Sequence, residues 1–468
     1  MSVKVHELPA VALTVPPPAR PVRAPARALA RDDAWPRTTR VLPWAVAIFV
    51  AMLWLVPFYS VQTPIPLGVD GKLDRLLLPV LVAFWVACMI TGKANAPRIR
   101  PTAIHAGVGA FLCVALVSVF LNLEVLNNLD ELDLAFKKLA LLGSYAVFFL
   151  VVASSVQPAE VRHFRILIVL LACVAAVGTI YEYRTYSNVF YEWLAAVLPP
   201  SFDLTNYDYG GVDSIGRRLI VGPTQHGLEV VSILAMALPF AVVGAMGDRS
   251  VRSKVFGGVA SAVILAGMVA TFRKTALVAP LGALVVLFAY RPRQTLGLVP
   301  VGFAMIVLIH FMVPGALGSV AVQLKPNRFQ GAGTVQDRKS DYDAVRPDIL
   351  KRPFFGRGHG TYDPYRYRFL DNEWVHRIVE TGFLGAAAYL ALILSVIATA
   401  HRSIRRRAGP GVDVALAVAA AAGAYATSNL LFDTLAFPHA PYVFLFMAGL
   451  MAAAVNRDDA PAAAPGAV

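Results

Sequence analysis

AGMVATFRKTALVAPLGALVV, residues 266–286, joins two apolar segments through the charged pair Arg273-Lys274. Apolar residues continue on both sides of the pair over lengths close to the ~20 residues that cross a bilayer as a helix. We therefore expect two membrane-spanning helices here, connected by a hairpin too short to form a domain. The pattern predicts an all-α polytopic membrane protein.

The composition of the whole chain supports this prediction. Hydrophobic types make up 57% of the 468 residues and charged types only 15%, with a mean hydropathy of +0.61. A soluble domain carries about 25% charged residues, so a typical cytosolic enzyme is excluded. Cys88, Cys113 and Cys173 lie inside apolar segments, and their positions predict neither a disulfide framework nor a zinc site.

The sequence predicts twelve membrane spans between two disordered cytoplasmic tails, 1–40 and 456–468. The predicted spans are 41–58, 73–91, 102–121, 136–154, 164–182, 227–246, 254–270, 275–290, 295–314, 374–400, 412–431 and 438–455. With both termini inside, roughly half of the basic residues fall on the cytoplasmic side, as the positive-inside rule requires. The net charge of +13 is then explained by basic loops beside a lipid bilayer, and not by nucleic acid.

Two segments predicted to lie outside are too long to be simple connections. They cover about 183–226 and 315–373, and the second lies between spans nine and ten. Loops of this length usually have their own structure and a function.

Basic residues outside the membrane are the first candidates for a site. An Arg at headgroup depth such as Arg273 is suited to phosphate oxygens, which its planar fork binds bidentately. Lys274 adjoins it, and Arg217 and Arg218 form a second basic pair before the sixth span. The alternative is that these residues only anchor helix ends at the interface.

A third group of candidates lies in residues 356–385. The Gly-rich turn 356–360 is predicted to present backbone N–H groups to an anion. Asn372, His376 and Glu380 recur every four residues and so share one helix face. Glu380 lies inside a span, where an ionisable group indicates function unless it merely pairs with a neighbour. We predict that Glu380 is catalytic and that the following residues bind substrate: Lys274, Arg357, His359, Asn372 and His376.

A metal site is the less favoured alternative. Asp341-Tyr342-Asp343 matches the DxD pattern of metal-dependent glycosyltransferases, but three-residue matches are common by chance. Asn429 and Asp433 either line the same cavity or cap a helix. We expect no metal and no cofactor.

These features together resemble the bacterial O-antigen ligase and polysaccharide polymerase superfamily, over about residues 41–455. Four strings carry the resemblance: IVGPTQHGLEVVSILAMALPFA (220–241), TFRKTALVAPLGALVV (271–286), KRPFFGRGHGTY (351–362) and DNEWVHRIVETGFLG (371–385). Their order along the chain makes the resemblance more specific than any one of them.

The resemblance implies a GT-C-like membrane glycosyltransferase without a nucleotide or metal cofactor. It would move a glycan from an undecaprenyl-diphosphate carrier to a hydroxyl of a glycan or lipid acceptor, at the outer face of the bacterial plasma membrane. Arg273 would hold the diphosphate, with Arg217 or Arg218 assisting. The ligases resembled have His before the Asn, where this chain has Asp371, the implied proton acceptor. A polymerase therefore remains as well supported as a ligase, and a transporter or flippase of a polyanionic lipid is the alternative.

Overall fold

A computed structural model describes residues 41–63, 71–91, 96–205, 211–212, 218–246, 250–298, 334–406 and 410–455, together with residues 300, 302 and 307. Up to residue 200 the helices are α1 (Val41–Leu55), α2 (Leu73–Ile90), α3 (Ala103–Phe120), α4 (Leu123–Asn128), α5 (Leu132–Ser155), α6 (Val161–Thr185) and α7 (Val189–Val197). After residue 200 they are α8 (Gly227–Ala245), α9 (Val251–Ala270), α10 (Thr275–Tyr290), α11 (Pro292–Leu296), α12 (Thr334–Lys351), α13 (Glu373–Arg406), α14 (Pro410–Ser428) and α15 (His439–Val455).

The helices confirm an all-α polytopic membrane protein. Among the described residues, eight helices are long and apolar enough to cross a membrane, and three shorter apolar helices are α1, α10 and α15. The ninth predicted span and both predicted tails lie wholly or mostly outside the described residues, so the count of twelve stays a prediction. Two short strands, β1 (Val61–Gln62) and β2 (Asp203–Leu204), pair antiparallel.

The core of the bundle lies around α8, α14 and α15. In the apolar window of α8, 78% of residues are buried, against 22% in α2. A helix that is apolar all round is stable only where other helices surround it, whereas α2 is apolar toward lipid. Small residues bring the central helices together, since a Cβ on Gly423 of α14 would lie 2.6 Å from the carbonyl oxygen of Gly282 in α10.

Side-chain caps explain where two of the helices begin at the end of the bundle that contains the candidate site. The Asn188 side chain accepts from two amides at the start of α7. His226 Nδ1 accepts from the amide of Leu228 at the start of α8, at 3.1 Å. Such caps satisfy amides that the first helical turn leaves without partners.

Candidate active site at one end of the helix bundle

The helix α13 is broken at Gly382, which adopts φ 69° and ψ −174°. This left-handed φ interrupts the i to i−4 hydrogen bonds of the helix, and it favours glycine because glycine has no Cβ. The break leaves backbone groups on both sides of Gly382 in need of partners inside the bundle, where unpaired groups are costly.

The segment 353–358 supplies those partners. Four backbone hydrogen bonds join it to the break: Arg357 N to Val379 O (3.0 Å), Gly358 N to Glu380 O (2.9 Å), Phe383 N to Pro353 O (2.8 Å) and Leu384 N to Phe354 O (3.3 Å). The amide of His359 donates to Ser118 Oγ at 3.1 Å. The prediction that these turn amides form an anion nest is therefore wrong, because they bind groups of the protein itself.

Glu380 is the centre of a buried charged cluster and is only 1% exposed. Its Oε2 lies 2.8 Å from Arg377 Nη2, and its Oε1 lies 3.1 Å from His376 Nε2. The amide of Tyr362 donates to the same Oε1 at 3.0 Å. Both oxygens of Glu380 are thus engaged, and the alternative of a pairing with a neighbouring residue is also observed, with Arg377 as the partner.

His376 joins Glu380 to Asp433, a residue from the connection between α14 and α15. Its Nδ1 lies 2.7 Å from Asp433 Oδ2, so each ring nitrogen of His376 faces a carboxylate. That arrangement suits an imidazolium that donates at both nitrogens. Burial by itself raises the pKa of Asp433, but the charges of His376 and Arg377 hold it below its ordinary value.

His359 has the opposite electrostatic environment. Its Nδ1 lies 2.8 Å from Arg377 Nη1, which can only donate, so Nδ1 acts as an acceptor. Burial and the charge of Arg377 lower the pKa of His359 to about 3. His359 is therefore neutral at physiological pH.

A cavity of about 320 Å³ opens onto this cluster. Its polar lining is Lys138, Gln225, His359, Asp363, His376, Arg377, Glu380 and Asp433, and its aromatic lining is Tyr59, Tyr145, Tyr362, Tyr365, Phe369 and Phe437. A small volume with a few convergent polar groups and aromatic walls is typical of a ligand site. Flat aromatic rings are suited to the apolar faces of sugars.

Arg273 lies behind one wall of the cavity. The preceding Phe272 adopts a left-handed φ of 55°, which closes the tight connection between α9 and α10. Arg273 Nη2 lies 3.3 Å from His226 Nε2, and the His226 ring centroid lies 5.3 Å from that of Phe437, which lines the cavity. Arg273 itself is not among the lining residues.

Residues 259–390 match the O-antigen ligase family. Three of the four strings, 271–286, 351–362 and 371–385, lie within the matched residues, so the match confirms the resemblance to the O-antigen ligase family there. The match covers the second half of α9, all of α10, α11 and α12, and the first half of α13, and so includes Arg273 and Glu380. Together with the membrane helices, it supports a membrane enzyme of the O-antigen ligase or polymerase type. A search of the curated proteins finds no match to the chain.

Three other predicted site residues do not line the cavity. Asp371 is exposed and does not line it. Asn372 caps α13, where its Oδ1 accepts from Trp374 N at 3.0 Å. Lys274 immediately precedes α10. Their assignments as site residues stay predictions.

Two predicted arginines take part in contacts within the protein. Arg357 forms an ion pair of 2.8 Å with Glu131 and lies 4.0 Å from the ring centroid of Tyr367. Arg218 lies over the ring of Tyr186, at 5.6 Å from its centroid. The neighbouring Arg217 lies outside the described residues.

Residues 341–343, which form the DxD segment, do not line the cavity. Asp341 forms an ion pair with Arg368, and Asp343 is exposed on α12. Within the part of the chain that the structure describes, no group of three His, Cys, Asp or Glu side chains is arranged to hold a metal ion. The sequence had not assigned a role to Glu373 or Lys138. The only signal for them was their position beside a charged helix start.

Proposed function

We propose that this protein is a membrane glycosyltransferase that moves a glycan from an undecaprenyl-diphosphate carrier to an acceptor hydroxyl. The transfer would take place at the outer face of the bacterial plasma membrane, in the manner of a polysaccharide polymerase or an O-antigen ligase. The observation that carries the proposal is the cavity itself, which combines buried carboxylates, aromatic walls and the nearby Arg273 at one end of the bundle.

Arg273 acts on the leaving group in this proposal. As the bond between the anomeric carbon and the phosphate oxygen breaks, negative charge grows on the diphosphate. A fixed guanidinium stabilises that developing charge. Arg218 and Lys274 stand in the adjoining connections, where they can add positive charge.

A carboxylate receives the proton of the acceptor hydroxyl as its oxygen bonds to the anomeric carbon. Asp433 is the better placed of the two cluster carboxylates on the cavity, because its side chain is 13% exposed, against 2% for Glu380. Glu380 has both oxygens occupied, so its role is to position His376 and Arg377. Asp371, which the family resemblance implies as the base, is the competing candidate.

The exposed aromatic residues at the cavity favour an enzyme over a transporter. Tyr365 is 89% exposed and Phe369 is 60% exposed, and their rings lie 5.4 Å apart. Exposed apolar patches often mark a place where a ligand or another surface binds. A glycan extending from the membrane is suited to cover this pair.

Proteoliposomes that contain the protein and an undecaprenyl-diphosphate glycan test the proposal. We expect a product of higher mass, which mass spectrometry detects, and we expect the activity to persist in EDTA. Movement of unaltered substrate between leaflets would instead support the transporter. Loss of activity on chelation, with recovery in Mg²⁺ or Mn²⁺, would instead support a metal site at Asp341 and Asp343.

A further inference from the structure

Lys138 is a cationic residue that lines the cavity and has no counter-ion among the described residues. It lies near the start of α5 and lines the cavity beside His359 and Gly360. Among the described residues, no ion pair or hydrogen bond is formed by its ammonium group. Lys138 is half-buried, and burying a charge without a partner is costly, so an anionic ligand in the cavity would stabilise it.

The acidic residues around Lys138 already have other partners. Asp133 pairs with Lys137 at 2.7 Å, and Glu131 pairs with Arg357 at 2.8 Å. In the cavity, Glu380 and Asp433 are bound by His376. Asp363 also lines the cavity, but among the described residues it forms no ion pair with Lys138, and its Oδ1 accepts from the amide of Tyr365 at 3.0 Å.

The stem of Lys138 is fixed by the Gly-rich turn. Gly360 has a φ of +77°, and a Cβ there would lie only 2.6 Å from Cγ of Lys138. The turn therefore packs directly on the aliphatic part of the side chain. The ammonium is also close enough to His359 to contribute, after burial and Arg377, to the lowered pKa of that residue.

We propose that Lys138 binds an anionic group of the substrate, a phosphate or a carboxylate, inside the cavity. This inference rests on the proposed function and adds a charge requirement to it. Lys138 stands with the residues of the Gly-rich turn, whereas Arg273 lies behind the wall formed by Phe437. The site thus offers cations in two places, one for the carrier diphosphate and one for a further anion or for the same diphosphate.

Binding to the protein in phosphatidylcholine nanodiscs tests this directly by calorimetry. The probes are inorganic pyrophosphate, an acidic hyaluronan tetrasaccharide and neutral chitotetraose. We expect Lys138→Met to weaken one or both anionic probes by about tenfold or more, the scale of a lost charge-assisted hydrogen bond. Lys138→Arg should retain most of the affinity. The matched control Lys137→Met removes the adjacent lysine, which pairs with Asp133, and should bind as the wild type does.

The pattern of loss identifies the anion. Weaker pyrophosphate binding assigns Lys138 to the carrier diphosphate, and weaker hyaluronan binding assigns it to an acidic sugar. The inference is overturned if the wild type binds neither anion, if Lys138→Met binds both normally, or if chitotetraose is lost equally. Glycan transfer is measured separately, so that absent transfer with Lys138-dependent binding would contradict only the proposed function.

Discussion

Gly356 lies against the backbone of the helix that carries Glu380, so closely that a Cβ at 356 would stand 2.6 Å from the amide nitrogen of Thr381. The contact attaches the Gly-rich turn to the break in α13 and so holds Glu380 in the charged cluster. Gly356 also has a left-handed φ of +63°. Both features require glycine at this position.

Gly356→Ala is therefore expected to lower the free energy of unfolding by about 2 kcal/mol or more. About 1–2 kcal/mol comes from the left-handed backbone and the rest from the overlap with α13. Thermal unfolding in detergent measures the change. Gly109→Ala in α3 is the control, because a Cβ there meets nothing within 4 Å. Equal melting of the two variants would contradict the close docking.

The second prediction is a graded loss at Arg273. Arg273→Lys keeps the charge but loses the two-pronged hydrogen bonding, and Arg273→Ala leaves phosphate oxygens unpaired. We expect impaired transfer for Lys and a loss of roughly 10- to 100-fold per hydrogen bond removed for Ala. The measurement is transfer across a range of lipid-diphosphate concentrations. Arg293→Ala, an exposed arginine on α11, is the control. Wild-type transfer by Arg273→Ala would leave Arg273 as an interfacial anchor.

The third prediction separates the two candidate bases. Loss of a general base commonly reduces turnover by about 10²-fold or more. We expect a reduction of this size for Asp433→Asn, which keeps an oxygen able to accept from His376, and a smaller effect for Asp371→Asn. Melting of both variants checks that the fold is intact. The reverse order of effects would support Asp371, as the family resemblance implies.

The fourth prediction concerns orientation. In a variant with all three native cysteines replaced by alanine, Tyr365→Cys should react with an impermeant thiol reagent in intact cells. Arg405→Cys, exposed at the other end of α13, should react only after permeabilisation. Both expectations follow from the excess of basic residues predicted on the cytoplasmic side. The opposite labelling pattern would reverse the proposed orientation of the site.

The sequence by itself determined the fold class and most helix positions. A membrane span can be recognised in the sequence as a continuous segment of apolar residues, because this signal depends only on local composition. The predicted span 227–246, for example, is the helix Gly227–Ala245. The shared helix face of His376 and Glu380 also followed from local spacing, and the two side chains do meet.

Only the tertiary structure decided which helices surround that face. The cavity beside Glu380 is also lined by residues from other parts of the chain, namely Lys138, His359 and Asp433. The periodicity of a sequence shows which side of a helix is apolar, but it does not show which other helix packs against that side. The sequence also did not predict the partners of the amides in the Gly-rich turn. These partners are carbonyl groups of α13 that the break at Gly382 leaves free to accept hydrogen bonds. Backbone groups in a membrane interior must be satisfied, and here a distant segment of the chain satisfies them.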